Sequence, residues 1–182
     1  MSAARSLGQL PRDEVVARAR SAISKGTAYK LGAGGRDPHA LHPGAILTVE
    51  GFTTYECDCS GFAAWCVGVD RYLPNVGGSA AEAYQWFETS NLAKDVERED
   101  WPNLSKVLWQ AALPGDLLVW GDRNGSQGHV GVVASLGQTG PETVVHCSMG
   151  NFRREKDAIQ ETGVELFLRN HALVAHVAWV GA

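Results

Sequence analysis

The second half of the chain sets short β-rich runs between breakers, and this constrains the fold more than any other feature. "LPGDLLVWG" at 113–121, "HVGVVASLG" at 129–137, "ETVVHCS" at 142–148, "VELFLR" at 164–169 and "ALVAHVAWVG" at 172–181 are separated by Gly, Pro, Asn and Asp. Each run is the length of a strand, and the breakers mark turns. Upstream the texture is helical: Val15, Val16, Ala19, Ala22 and Ile23 recur at helical spacing between Pro11 and Lys25, with Gly26 just past the end. Ser79-Ala-Ala-Glu82 has the capping-box pattern and predicts a second short helix through Ala83, Tyr84, Trp86 and Phe87. Helices first and strands afterwards predict an α+β domain built on an antiparallel sheet.

At 182 residues the chain fits one unit, 1–182, with a core large enough to need no staples. Residues 1–28 read as an N-terminal helix and its lead-in, and 29–182 as the body. Within the body, 32–51 is rich in Gly, Pro and His and reads as a long loop with one short strand at Ile46–Val49. Residues 91–106 are polar and read as a surface excursion. A formal net charge of -4 gives no basic field for nucleic acid or anionic membrane. No stretch approaches the roughly 20 apolar residues of a membrane span, and the opening lacks the apolar core of a secretory signal. The expectation is synthesis in the cytoplasm without a signal peptide, so that any work in the periplasm or cell wall follows non-classical export.

"YECDCSGFAAWCVGVD", residues 55–70, holds three of the four cysteines, the fourth being Cys147. A zinc-binding interaction module using Cys57, Cys59, His146 and Cys147 is one reading, although structural zinc sites space paired ligands more widely. A Cys57–Cys59 disulfide would strain a very short loop. A buried helix that uses cysteine as a small hydrophobe explains Cys66, beside Phe62, Ala63, Val67 and Val69, but explains Cys59 poorly. Cys59 is flanked by Asp58 and Ser60, and Gly61 follows, where the helical run begins. A thiol there sits in the positive potential of a helix start, which favours the reactive thiolate, and free backbone N–H groups at that turn suit an oxyanion.

A nucleophilic cysteine needs a histidine, and that histidine needs a third group to orient it. If 129–136 and 142–147 form a hairpin around Gly137–Pro141, His129 and His146 become neighbours at its open end, where opposed Cβ atoms lie about 5 Å apart. His39 and His42, in the Gly/Pro-rich loop, read as exposed. His171 and His176 read as core or edge residues, with His176 the reserve for the third position.

Four segments in order, "DCSGF" at 58–62, "LPGDLLVW" at 113–120, "HVGVV" at 129–133 and "VVHCS" at 144–148, resemble the NlpC-type cell-wall peptidases of the NlpC and p-sixty superfamily. The resemblance runs from about Tyr29 to Cys147. It implies a papain-like fold, N-terminal helices packed on a central antiparallel sheet of about five or six strands. It also implies a cysteine hydrolase that cuts the stem peptides of peptidoglycan without metal or cofactor. Carried over by residue, Cys59 is the nucleophile, His129 the general base and acid, and His146 the residue that orients His129. Asp58 inherits contact with the free amino end of the stem peptide, against the plainer reading of a helix cap. Ser60 is a neighbour in substrate contact, and Tyr29, in "YKLGAGG", lines the pocket.

The chain departs from the family pattern in two places. The link between the Tyr/Gly segment and the nucleophile is enlarged over 32–56, and Leu73-Pro74-Asn75 stands where the family often has Leu-Pro-Arg. The expected function is a cysteine endopeptidase or amidase acting on stem peptides through an acyl-enzyme. A signal-less effector of the type VI kind or a phage-associated lytic protein fits it, and an effector would be met by an immunity or inhibitor protein. The alternatives are a papain-like acyltransferase or thioesterase, and the zinc module.

Overall fold

The computed structural model describes residues 10–73, 84, 85, 87–97 and 104–177. In chain order the elements are α1 (Arg12–Ser21), β1 (Ala28–Tyr29), β2 (Ala45–Leu47), β3 (Thr53–Cys57), α2 (Cys59–Cys66), β4 (Tyr72–Leu73), β5 (Tyr84–Gln85), α3 (Thr89–Glu97), β6 (Leu104–Val107), β7 (Leu117–Trp120), β8 (His129–Gly137), β9 (Gly140–Cys147), α4 (Met149–Glu155), β10 (Ile159–Gly163), α5 (Glu165–Arg169) and β11 (Leu173–Val177). Six strands form one sheet in the order β10-β9-β8-β7-β11-β6, and every neighbouring pair is antiparallel. This is the α+β architecture the strand-rich half predicts.

Alternation along the strands gives the sheet two apolar faces. On one side Leu117, Val119, Val130 and Val132 pack with Val15 of α1 and with Phe62 and Trp65 of α2. On the other, Leu118, Trp120, Val133 and Val144 pack with Phe167 of α5. Phe62 and Trp65 are almost wholly buried, and each such side chain contributes about 1.5–3 kcal/mol. At the rim Asp116 accepts from Arg12 Nη1 at 2.6 Å and from the Leu113 amide at 2.8 Å, joining α1 to the turn before β7.

α1 begins after Pro11, which needs no N–H partner there, and carries Asp13 and Glu14 in its first turn and Arg18 and Arg20 in its last, matching the helix dipole. The β8–β9 hairpin closes through Gly137 and Gly140 and contains a register shift between Val133 and Ser135.

Four expectations are corrected. The run at 164–169 is α5 rather than a strand: Val164 and Phe167 are buried while Leu166 and Leu168 are exposed, a three-residue spacing that fits a helix. Within 91–106, α3 buries Leu92, Ala93 and Val96, so this stretch belongs to the body. Tyr84–Gln85 pairs with Tyr72–Leu73 as a strand instead of continuing a helix, and residues 79–83 and Trp86 lie outside the described residues. Residues 32–56 hold two strands, β2 and β3, and β1 runs parallel to β3 at Tyr29 and Cys57. Pro74, Asn75 and the last part of the 172–181 run also lie outside the described residues.

Candidate active site

Helix α2 starts on Cys59 because Asp58 caps it. The Asp58 carboxylate accepts from the Gly61 amide at 2.7 Å, taking one of the first-turn donors that have no partner inside the helix. Gly61 is required for contact with the preceding loop: a Cβ there would lie 2.5 Å from the Ala33 carbonyl oxygen and 2.8 Å from Arg71 Nη1. The "LGAGG" segment therefore lies directly on the helix start, which holds Tyr29 and Cys59 along one cleft.

Arg71 completes this corner, and nothing in the sequence reading singled it out. Its guanidinium is fully buried, paired with Asp58 at 3.0 Å, and it donates to Ser60 Oγ at 2.7 Å and to the Ala33 carbonyl at 2.8 Å. Asp58 also accepts from the Gly32 amide at 2.7 Å and from Ser60 Oγ at 3.2 Å. With the Gly61 bond, these donors occupy the lone-pair directions of both carboxylate oxygens. Asp58 thus serves as the helix cap and as the partner in a buried ion pair, and it borders the cleft. Ser60 borders the cleft, but its hydroxyl is held between Arg71 and Asp58.

His129 and His146 lie on one face of the β8–β9 hairpin and meet diagonally, with His129 Nε2 2.7 Å from His146 Nδ1. Their rings are nearly perpendicular, at 87°. His146 Nε2 lies 3.0 Å from Thr162 Oγ1, and Thr162 Oγ1 donates to the Gly163 carbonyl at 3.2 Å. With its one hydroxyl proton given to Gly163, Thr162 accepts from His146 Nε2–H; in that tautomer His146 Nδ1 accepts from His129 Nε2–H and Nδ1 of His129 is the basic nitrogen, while Asn151 Nδ2 also lies 3.5 Å from His146 Nε2. Asn151, buried in α4, donates to the His146 carbonyl at 3.2 Å and accepts from Arg154 at 2.8 Å. Phe167 packs edge-on to His146 and tilted on His129, and Trp120 packs on His129 with centroids 5.3 Å apart. Gly131 makes room for this pairing, since a Cβ there would lie 3.0 Å from both the His146 Cβ and the Phe167 ring.

Burial sets the charges. The Cys59 thiol is pushed up to about 12, first by desolvation and then by the Asp58 carboxylate, against amide bonds from Val130 and Ser60. Desolvation thus opposes the thiolate that the helix start favours. His129 is held well below the usual imidazole range by burial and by its neighbour His146; burial and Arg154 bring His146 down to about 4. Burial thus favours the neutral thiol of Cys59 and the neutral imidazoles of His129 and His146. The Cys59 sulfur receives the amide of Val130, the residue after His129, which brings the helix start against the first residues of β8.

Two cavities flank this point. One of about 480 Å³ is bordered by Cys59, Asp58, Glu88 and Asp122; the other, of about 520 Å³, by His129, His146, Arg154 and Arg169. Tyr29, Gln127 and Gly128 border both, forming the waist of one cleft. Tyr29 and Gln127 are thus wall residues of both cavities, and the sequence reading missed Gln127.

His176 stays out of the site: its Nδ1 lies 3.1 Å from Asp116 and it contacts Arg12. His42 is buried rather than exposed, accepting from the Gly44 amide at 3.1 Å and donating to Thr27 Oγ1 at 3.1 Å. The zinc arrangement is not assembled. The Cys57 and Cys147 thiols donate to the backbone carbonyls of Asp58 and Cys57, each at 3.3 Å, and among the described residues no group of three or more His, Cys, Asp or Glu is placed to hold a metal.

A helix that starts on a cysteine is thus set against an antiparallel sheet that brings two histidines together. The chain belongs to the CHAP domain family, whose model matches residues 48–151, more than half of its length. Members of that family are hydrolases, usually cysteine peptidases or amidases. Among solved structures the chain is similar to an NlpC/P60 family protein from Bacillus cereus ATCC 10987, with 11% identity and a TM-score of 0.47. The similarity covers 95% of this chain and 42% of that one, so this chain spans less than half the length of that protein. No curated protein matches the chain. Among the described residues no helix is long and apolar enough to cross a membrane.

Proposed function

We propose that this protein is a cysteine amidase or endopeptidase that cuts an amide bond in the stem peptides of peptidoglycan through an acyl-enzyme on Cys59. The observation that carries the reading is the hydrogen-bonded row Thr162–His146–His129, which lies next to the segment that touches the Cys59 sulfur. Membership of the CHAP domain family supports the substrate class.

In the proposed reaction His129 Nδ1 takes the thiol proton as Cys59 Sγ attacks the amide carbonyl. Because thiol and imidazole rest neutral, this transfer accompanies attack instead of preceding it. Gly61 and Phe62 amides are taken by Asp58, and the Ser60 amide faces the sulfur, which leaves the Cys59 amide as the first-turn donor for the oxyanion. The C–N bond breaks as the imidazolium of His129 protonates the leaving amine. Water, deprotonated by His129, then adds to the thioester and releases the acid and the thiol.

Purified muropeptides digested with the protein and resolved by mass spectrometry test this reading. The expected result is a pair of products one water heavier in sum than the substrate, lost in Cys59→Ala with the fold retained by circular dichroism. Turnover persisting in Cys59→Ala, or none in the unaltered protein, would overturn it.

A further inference from the structure

The two lobes of the cleft differ in charge. The lobe beside Cys59 is bordered by the carboxylates of Asp58, Glu88 and Asp122 and by no lysine or arginine among the described residues. The lobe beside the histidines is bordered by two guanidinium groups, Arg154 and Arg169, and by one carboxylate, Glu165.

The two arginines are placed for an outside partner. Arg154 donates to Asn151 Oδ1 at 2.8 Å, and Arg169 to the backbone carbonyl of Glu165 at 3.3 Å. Among the described residues neither forms an ion pair with a carboxylate, although Glu165 borders the same lobe. Both side chains are exposed, and a guanidinium keeps several donors after one such bond. They approach from different elements, α4 and α5, which are positioned by Asn151 under His146 and by Phe167 under both imidazoles.

The direction of the chemistry says which part of a substrate lies there. His129 protonates the leaving amine, so the leaving portion occupies the lobe on the histidine side, while the acyl portion stays joined to Cys59. We infer that Arg154 and Arg169 form a carboxylate subsite, so that the residue supplying the leaving amine carries a free carboxylate. This assignment rests on the hydrolase reading for its direction. It makes the two arginines specificity-determining residues for acidic over amidated leaving groups.

The test uses two synthetic stem peptides that differ only in whether the residue supplying the scissile amine bears a carboxylate or a carboxamide. Binding of each to Cys59→Ala is measured by calorimetry, and kcat/KM of each with the unaltered protein. The carboxylate form is expected to bind about tenfold more tightly, as charge-assisted pairing to guanidinium implies, with the preference in turnover residing mainly in KM. In Cys59→Ala carrying Arg154→Gln and Arg169→Gln the affinity ratio falls towards one, while Arg154→Lys with Arg169→Lys keeps part of it. Reading the ratio cancels any general loss caused by releasing Asn151, and Arg169→Gln alone, remote from Asn151, should lower it as well. Equal binding of the two peptides, or a ratio unchanged in the double Gln variant, would overturn the inference. Failure of the unaltered protein to cleave either peptide would count against the hydrolase reading instead, and the binding ratio would still decide on the arginines.

Discussion

His129 Nε2 lies 2.7 Å from His146 Nδ1, and in the tautomer in which Thr162 gives its proton to Gly163 the proton between the rings belongs to His129. On the hydrolase reading His146 is then the acceptor that orients His129 as the base. His146→Ala is expected to lower kcat by about 100-fold or more, within the range for general acid–base catalysis, with a small change in KM. Steady-state kinetics on a defined muropeptide check this. Thr162→Val, which removes the acceptor beyond His146, should lower kcat in the same sense by a smaller factor; an unaltered kcat would show that Thr162 does not set the tautomer.

The neutral resting thiol has a direct readout. Because burial pushes Cys59 up to about 12, its thiolate fraction is small at pH 7 and grows as pH rises. Iodoacetamide labelling, followed at Cys59 by peptide mass spectrometry, should be slow at neutral pH and still climbing above pH 9. A labelling profile that levels off below pH 8 would mean a preformed thiolate and a different opening step.

Gly131 sits across the hairpin from His146, and a methyl group there would come within 2.5 Å of Val144 Cγ1 as well as meeting His146 and Phe167 at 3.0 Å. Gly131→Ala is expected to destabilise the fold by about 1–3 kcal/mol through overpacking and to lower kcat by displacing His146. Thermal unfolding measured by calorimetry, together with kinetics, would show both effects; an unaltered Tm would mean that the hairpin relaxes without strain.

Acid should weaken the fold. His42, His129 and His146 are all held below the ordinary histidine value, His42 and His146 at about 4, chiefly by burial. The unfolded chain binds those protons near pH 6.5 and the folded chain does not. Stability is therefore fully present above about pH 6.5 and falls as pH drops from there towards 4. Tm measured at pH 7, 5.5 and 4.5 should decrease steadily. His42→Gln, which keeps a donor for Thr27 but no titrating ring, should flatten that slope; an equal slope in the variant would remove His42 from the account.

Local rules made much of the site legible in the sequence. Asp58, Cys59 and Gly61 announce a capped helix start within four residues, and the hairpin follows from two β-rich runs around a short turn, so the meeting of His129 and His146 needs only pairing geometry. What escaped depends on contacts distant along the chain. Arg71 is thirteen residues from Asp58, and only the folded corner reveals that it fills the carboxylate's remaining directions. β10 reads "IQETG", with little apolar signal, because it is an edge strand. α5 was misread because a run of apolar residues this short shows no clear period until Val164 and Phe167 are seen buried together. The raised Cys59 pKa was equally hidden, since the helix position is visible in sequence and the degree of desolvation is not.

The buried Arg71 links the 33–35 loop, the first turn of α2 and the segment leading to β4. Grafting the pentapeptide "DCSGF" onto another scaffold would accordingly transfer the sulfur without the frame that aims it. Substitution has more freedom on α4 and α5, where exposed positions can be varied without unlocking the corner that anchors Cys59.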